Sequence, residues 1–260
     1  FIWFRTDMYG SGQGRYFCDG NESRRGKGMV SLNIKGMKSR EVNRKLRELL
    51  PKEKEILIEH PDSIHNFAIA LKGEGKIIVR GSTGFYTGGF LEGPALIIQG
   101  NTGLYTGDNM MRGMILVEKN SGSNVGPYMI GGTILVKGHC GSWAGFGMKG
   151  GNLIICGNAG MWTGKMMLGG RIIVLGSVGM GTGDSIYNGL IHTLDKDVEK
   201  KLGSNVHVVP ISQEEKEEVQ KLLRQYGVNQ SIRLEDLKSV VPKVYGRHEY
   251  VLFKPMHLGR

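Results

Sequence analysis

The sequence predicts an all-β core, a parallel β-helix built as a single-stranded solenoid of 19-residue turns with flanking helices. Three observations carry this. First, Gly81 to Leu194 repeats itself every 19 residues, in six copies that begin at Gly81, Gly100, Lys119, Gly138, Gly157 and Gly176. Self-similarity at a fixed short period marks a solenoid. Second, glycine recurs at fixed offsets. Counting the first residue of each copy as zero, position 3 is always Gly (84, 103, 122, 141, 160, 179) and so is position 7 (88, 107, 126, 145, 164, 183). Position 13 is Gly in five copies (113, 132, 151, 170, 189), and the first copy has Gly93-Pro94 there. Glycine at such offsets marks backbone that needs φ > 0 or a close approach to another strand, so three glycine zones predict three corners per turn with strand-length segments between them. Third, apolar residues fall in columns.

The strand column lies at positions 14 to 18: Ala95–Gln99, Met114–Glu118, Thr133–Lys137, Asn152–Cys156, Arg171–Leu175 and Leu190–Leu194. Short β-branched runs bounded by glycine read as strand. Position 10 is large and flexible (Leu91, Met110, Met129, Met148, Met167, Ile186), and position 6 is small and mostly β-branched (Thr87, Thr106, Val125, Ala144, Thr163, Thr182). Stacked about 4.8 Å apart, these columns make a continuous core. Position 16 carries Ile97, Leu116, Leu135, Ile154 and Ile173, and alternation points it away from positions 15 and 17. One outer side of the coil is therefore greasy and needs a cover, either from elsewhere in the chain or from a partner subunit.

Three segments follow: a basic arm plus helix over 1–55, the β-helix over 56–194, and C-terminal helices with an extended tail over 195–260. Residues 1–36 read as a Gly-rich, irregular arm that wraps a neighbour. Gly10-Ser-Gly-Gln-Gly14 is no dinucleotide loop, because the third glycine comes one residue early and no helix follows. Ser39 to Leu50 predicts a helix with Ser39 as N-cap, an apolar face of Val42, Leu46, Leu49 and Leu50, and a stop at Pro51. Ile56–Ile58 reads as a short strand and 62–80 as a degenerate zeroth turn. Beyond Leu194, a short helix over Asp195–Leu202 and a strand over Val206–Ile211 are expected. Ser212-Gln-Glu-Glu215 is a capping box that opens a helix running to about Tyr226 and closed by Gly227. Its apolar face, Val219, Leu222, Leu223 and Tyr226, is a candidate cover for the position-16 stripe. From Ser231 onward the chain reads as extended, with Tyr245, Arg247, His248, Tyr250 and Phe253 in its tail.

The 260 residues carry 42 glycines, in register, and a net charge of +10. That charge is concentrated in residues 1–55, which hold 13 Lys/Arg against 7 acids. A basic arm can bind nucleic acid or an acidic protein. No nucleic-acid motif accompanies it, and Phe1, Trp3, Phe4, Tyr9, Tyr16 and Phe17 are not regularly interleaved, so an RNA-binding role is disfavoured. No apolar run approaches the roughly 20 residues of a membrane span. The Phe1–Phe4 run before Arg5 is too short for a signal peptide, and the sequence does not open on an initiator Met. Cys18, Cys140 and Cys156 form no Cys-x-x-Cys and suit a reducing, cytoplasmic compartment, with Cys156 an inert half-buried thiol.

Parts for chemistry are sparse. Asp108, Lys165 and Asp184 follow the position-7 glycine and read as exposed corner residues. Position 1 (Ser82, Asn101, Asn120, His139, Asn158, Ser177) reads as a hydrogen-bonding ladder at a tight corner rather than a ligand site. His60, His65, His139, His192, His207, His248 and His257 show no ligand spacing. There is no nucleophile elbow or phosphate loop. No catalytic, cofactor-binding or metal residue is assigned. An independent enzyme with a site in the coil's corners remains the rival class.

The pattern Gly157-Asn-Ala-Gly160-Met-Trp-Thr-Gly164 with Gly169-Gly170, repeated across about 62–194, resembles the glycine-repeat (GXGXG) domain that ends the large subunit of glutamate synthase. It is also similar to the glycine-repeat chain of formylmethanofuran dehydrogenase and of the related formyltransferase/hydrolase complex, and to stand-alone relatives in N-methylglutamate synthase-type operons. The flanking helices look more like the glutamate synthase type. The resemblance implies a right-handed parallel β-helix that is not itself catalytic, a scaffold in an oxidoreductase complex of nitrogen metabolism. In glutamate synthase this domain braces the glutaminase and flavin domains. FMN and iron–sulfur clusters are implied in partner subunits, and glutaminase-type and flavin/iron–sulfur synthase subunits are the implied partners in a hetero-oligomer.

Overall fold

The computed structural model describes residues 29–228 and 232–245. The Gly10–Gly14 loop, the arm's aromatic residues, Cys18, Arg247, His248, Tyr250, Phe253 and His257 lie outside the described residues. The chain forms a parallel β-helix with flanking helices. Nine strands stack in parallel: β1 (Met29–Asn33), β2 (Glu55–Glu59), β3 (Lys76–Arg80), β4 (Glu92–Ile98), β5 (Arg112–Val117), β6 (Thr133–Val136), β7 (Asn152–Ile155), β8 (Arg171–Val174) and β9 (Leu190–Thr193). β10 (Val206–Pro210) and β11 (Lys238–Pro242) continue the sheet antiparallel, in the order β9-β11-β10. From β5 to β9 each residue lies beside the one 19 later, as Ile115, Ile134, Leu153, Ile172 and Ile191 do.

The interior is built from the predicted columns. Position 10 is fully buried in all six coils, and positions 15 and 17 face the same core. Position 6 is also fully buried, and its threonines reuse one bond: Thr87, Thr106, Thr163 and Thr182 each donate to the carbonyl of the position-3 glycine in their own coil. A buried hydroxyl left unpaired would be costly, so threonine fits here only because that carbonyl lies three residues back.

The expectation of strand-length segments between all three corners needs correction. Only one side of each coil is regular strand. On another, every second residue is left-handed: Tyr86, Gly88 and Phe90 have φ of 57°, 67° and 54°, and Tyr105, Gly107 and Asn109 repeat the pattern. Such alternation cannot form a strand. Coils there are still joined rung by rung, for example by Gly107 N–H to Thr87 O at 2.8 Å.

At the N-terminal end the solenoid is longer than the repeats suggest. The sequence predicts 1–36 to be irregular, yet Met29–Asn33 is β1, paired in register with β2. Helix α1 (Ser39–Leu49) fills the interior there with Val42 and Leu46. Its N-cap is Lys38, which makes no side-chain cap, so Ser39 is the first helical residue and not the cap. Buried Asn43 ties α1 to the zeroth coil by donating to Asn66 O and accepting from Ile69 N–H. At the other end the predicted helix over Asp195–Leu202 is a single 3-10 turn (Val198–Lys201), and Val198 and Val206 close the core. Between β10 and β11 lie α2 (Gln213–Gln225) and a second 3-10 turn (Leu234–Asp236), the latter inside the stretch expected to be extended.

Candidate functional site

The outer stripe at position 16 is covered by the chain itself. Ile97, Leu116, Leu135, Ile154 and Ile173 pack with Val219 and Leu223 of α2 and with Ile211 and Leu237, while Leu222 and Tyr226 pack alongside. Tyr226 Oη adds a hydrogen bond to Thr133 Oγ1 at 3.1 Å. The stripe therefore gives no argument for a partner subunit; that requirement is met internally.

A different face is open. Among the described residues, ten of the twelve exposed large apolar side chains lie on the side built from positions 4 to 11 of the repeat. Position 4 contributes Phe85, Met161 and Met180, position 5 Tyr86, position 9 Phe90, Tyr128 and Met166, and position 11 Met111, Ile130 and Leu168. Left-handed backbone aims positions 5 and 9 outward; Trp143 and Trp162 have φ of 66° and 56°. For a bulky residue that conformation costs about 1–2 kcal/mol. Ring contacts offset it: Tyr86 stacks on Tyr105 and Trp143 packs tilted against Trp162, both with centroids 4.8 Å apart, and Trp143 meets Phe146 edge-on. Lys165 lies over both tryptophans, 5.3 and 5.9 Å from the ring centroids, and is paired with Asp184 at 2.8 Å.

Glycines fit this surface too. A Cβ on Gly181 would lie 2.4 Å from Trp162 Cδ1, and one on Gly147 would lie 2.7 Å from Tyr128 Cδ1. Several of these rings pack on one another and against neighbouring backbone, beside exposed methionines. Exposed aromatics and methionines are residue types favoured at protein interfaces.

The position-1 ladder is present as predicted. Asn101, Asn120, His139, Asn158 and Ser177 each donate a backbone N–H to the side chain 19 residues earlier, at 2.8 to 3.0 Å. His139 enters the ladder through Nδ1, which accepts the Asn158 N–H. Asp108, Lys165 and Asp184, expected to be exposed, are half-buried. Burial pushes the Asp108 carboxyl above its usual range, opposed by a hydrogen bond from Asn109. Burial pushes the thiols of Cys140 and Cys156 up to about 12 and about 11, so both stay protonated and unreactive at neutral pH. No group of three or more His, Cys, Asp and Glu able to hold a metal occurs among the described residues. Nor is any helix there long and apolar enough to cross a membrane.

Two features escaped sequence reasoning. One is a cleft of about 440 Å³ lined by Glu59, His60, Pro61, Asp62, Ser63, Arg80, Gly81 and Ser82. It forms where the coil takes extra residues: the register steps by 21 from Glu55 to Lys76 but by 19 from Lys76 to Ala95. His60, Asp62 and Ser63 are left-handed and exposed, and Arg80 is already bonded to Glu59, so no buried polar group converges on the cleft.

The other is a buried polar cluster. His192 is the one residue at position 16 that is not apolar, which was the signal in the sequence, and it is fully buried. Its Nε2 meets Glu215 Oε2 at 3.1 Å and its Nδ1 meets Ser239 Oγ at 2.9 Å. Arg171 holds Glu215 through two bonds of 2.9 and 3.0 Å. Serine, histidine and glutamate thus form a relay, but Ser239 is buried and offers no nucleophile to solvent. The predicted capping box is half made: Ser212 Oγ accepts from Glu215 N–H, while the Glu215 carboxylate serves Arg171 and His192.

Comparison with protein-family models finds no match, and comparison with curated proteins finds none either.

Proposed function

We propose that the chain is a non-catalytic scaffold subunit of a glutamate synthase-type complex. In this reading it braces glutaminase-type and flavin/iron–sulfur synthase subunits during glutamine-dependent glutamate formation from 2-oxoglutarate, in the cytoplasm. FMN and the clusters belong to those partners. The glycine-repeat resemblance supplies the family. The observation that carries the scaffold role is the exposed aromatic and methionine face on positions 4 to 11, held on a rigid coil. Large contiguous apolar surface on a folded protein marks an interaction site, and Tyr, Trp, Phe and Met are enriched at protein interfaces.

Native purification with mass spectrometry of the bound proteins tests the reading. Glutaminase and flavin/iron–sulfur subunits, with glutamine-dependent glutamate formation, are the expected result. A molybdenum- or tungsten-containing subunit would move the chain to the formylmethanofuran dehydrogenase type, and a lone monomer would end the scaffold reading. The face is tested by the triple variant Met111→Ser, Ile130→Ser, Leu168→Ser, whose side chains are 43%, 43% and 47% exposed. Exposed positions tolerate such changes within about 0.5 kcal/mol each. Thermal stability should therefore hold while subunits are lost from the purified complex; undiminished assembly would clear this face of the role.

A further inference from the structure

We infer that the cover over the position-16 stripe is held by one acid-sensitive latch, centred on His192, and opens as a unit when that ring takes up a proton. The geometry places the ring where both halves of the cover meet the coil. His192 lies on β9, its Nε2 reaches Glu215 on α2, and its Nδ1 reaches Ser239 on β11. In the neutral ring Nε2–H donates to the carboxylate and Nδ1 accepts the Ser239 hydroxyl, so every polar atom is paired. Protonation makes Nδ1 a donor as well. The Ser239 hydroxyl must then rotate to accept, and a charge is placed on a fully buried ring whose carboxylate partner is already shared with Arg171 in a bidentate pair.

The charged groups that face His192 are Glu215 from α2 and Arg171 from β8; β11 contributes only the Ser239 hydroxyl, and β7 contributes Asn152, bonded to Arg171 at 3.3 Å. Burial pushes His192 below its usual value, and the bond and charge of Glu215 only partly oppose this. Once the cover lifts, the ring regains a pKa of about 6.5, so the open form takes up the proton first. Docking is complete above that value and weakens as pH falls below it, by up to about tenfold per pH unit for one proton. Glu215 adds nothing in this window. Burial raises its carboxyl, but Arg171 and His192 together hold it below the usual glutamate range, so its contribution fades only under stronger acid.

What opens is an apolar strip running from Ala95 to Leu175, shut away at neutral pH. The test is hydrogen exchange of the full chain at pH 7.5 and 5.5, corrected for intrinsic exchange rates. Protection of Gln213–Gln225 and Lys238–Pro242 should fall, by at most about tenfold, while β5 to β8 keep theirs. His192→Leu, which places at position 16 the residue found there at Leu116 and Leu135, and His192→Gln, which keeps hydrogen bonds without a titrating ring, should both abolish the pH dependence. Full protection of α2 at pH 5.5 overturns the latch. So does the same loss in either variant, or simultaneous loss from the cover and the coil.

Discussion

Gly107 and Gly36 share a left-handed backbone, with φ of +70° and +73°, but stand in different surroundings. A Cβ on Gly107 would lie 2.3 Å from Ile134 Cδ1, in the next coil, whereas one on Gly36 would meet nothing within 4 Å. Alanine at Gly36 therefore carries only the backbone penalty, about 1–2 kcal/mol. At Gly107 overpacking adds about 1–3 kcal/mol. Denaturant unfolding of Gly36→Ala and Gly107→Ala should separate the two, with Gly107→Ala the less stable by at least about 1 kcal/mol; equal losses would mean that the position-7 glycines serve conformation alone. The methionines show the same dependence between columns. A Cβ on Gly132, Gly151, Gly170 or Gly189 would fall 2.6 to 2.8 Å from the Cε of the position-10 methionine one coil earlier. The two columns are thus one packing unit.

Among the elements, α2 shows how much the sequence disclosed. Its start at Ser212, its stop at Gly227 and its face of Val219, Leu222, Leu223 and Tyr226 follow from capping and 3.6-residue periodicity, and the structure bears each out. Its destination was legible as one of two options, since the exposed position-16 stripe called for an apolar cover from this face or from a partner, and Val219 and Leu223 pack on that stripe. The sheet's first strand was missed for another physical reason. Residues 29–33 pair with 55–59, a step of 26 that α1 occupies, so no 19-residue register reaches them. The open face was only half legible: its aromatics lie in the repeat, but nothing in periodicity tells left-handed corners from strand. If the cover is a separate cooperative unit, Leu223→Ala should cost about 3 kcal/mol and be felt mainly by α2. Hydrogen exchange checks this: lost protection over Gln213–Gln225 with β5 to β8 unchanged is expected, and uniform loss would make cover and coil one unit.

At the scale of the molecule, charge is distributed so that acid acts on one end. Among the described residues, the groups shifted towards their deprotonated forms all lie between His192 and Glu215: burial lowers His192; burial raises Asp195 and Glu215, but Lys201, the N–H groups of Val178 and Asp197, and Arg171 outweigh it; Lys200 and Lys238 lower Asp197 and Glu199. Each of these favours the folded state above its unfolded pKa and gives that up as pH falls. The order is His192 from about 6.5, then the glutamates and aspartates below about 4.3 and 3.9. Asp108 has the opposite sign: burial raises it, so the folded state binds its proton more readily and acid favours the middle of the coil. The N-terminal end is pinned by neutral Asn43, which does not titrate. Solenoids are held by nearest-neighbour contacts and can open from an end, so acid should peel this one from β10, β11 and α2 towards β9, leaving α1 and β2 to β5 in place. Hydrogen exchange between pH 7 and 3.5 reads that order directly. Protection lost first at α1, or lost everywhere together, would show that these charges do not set where the coil comes apart.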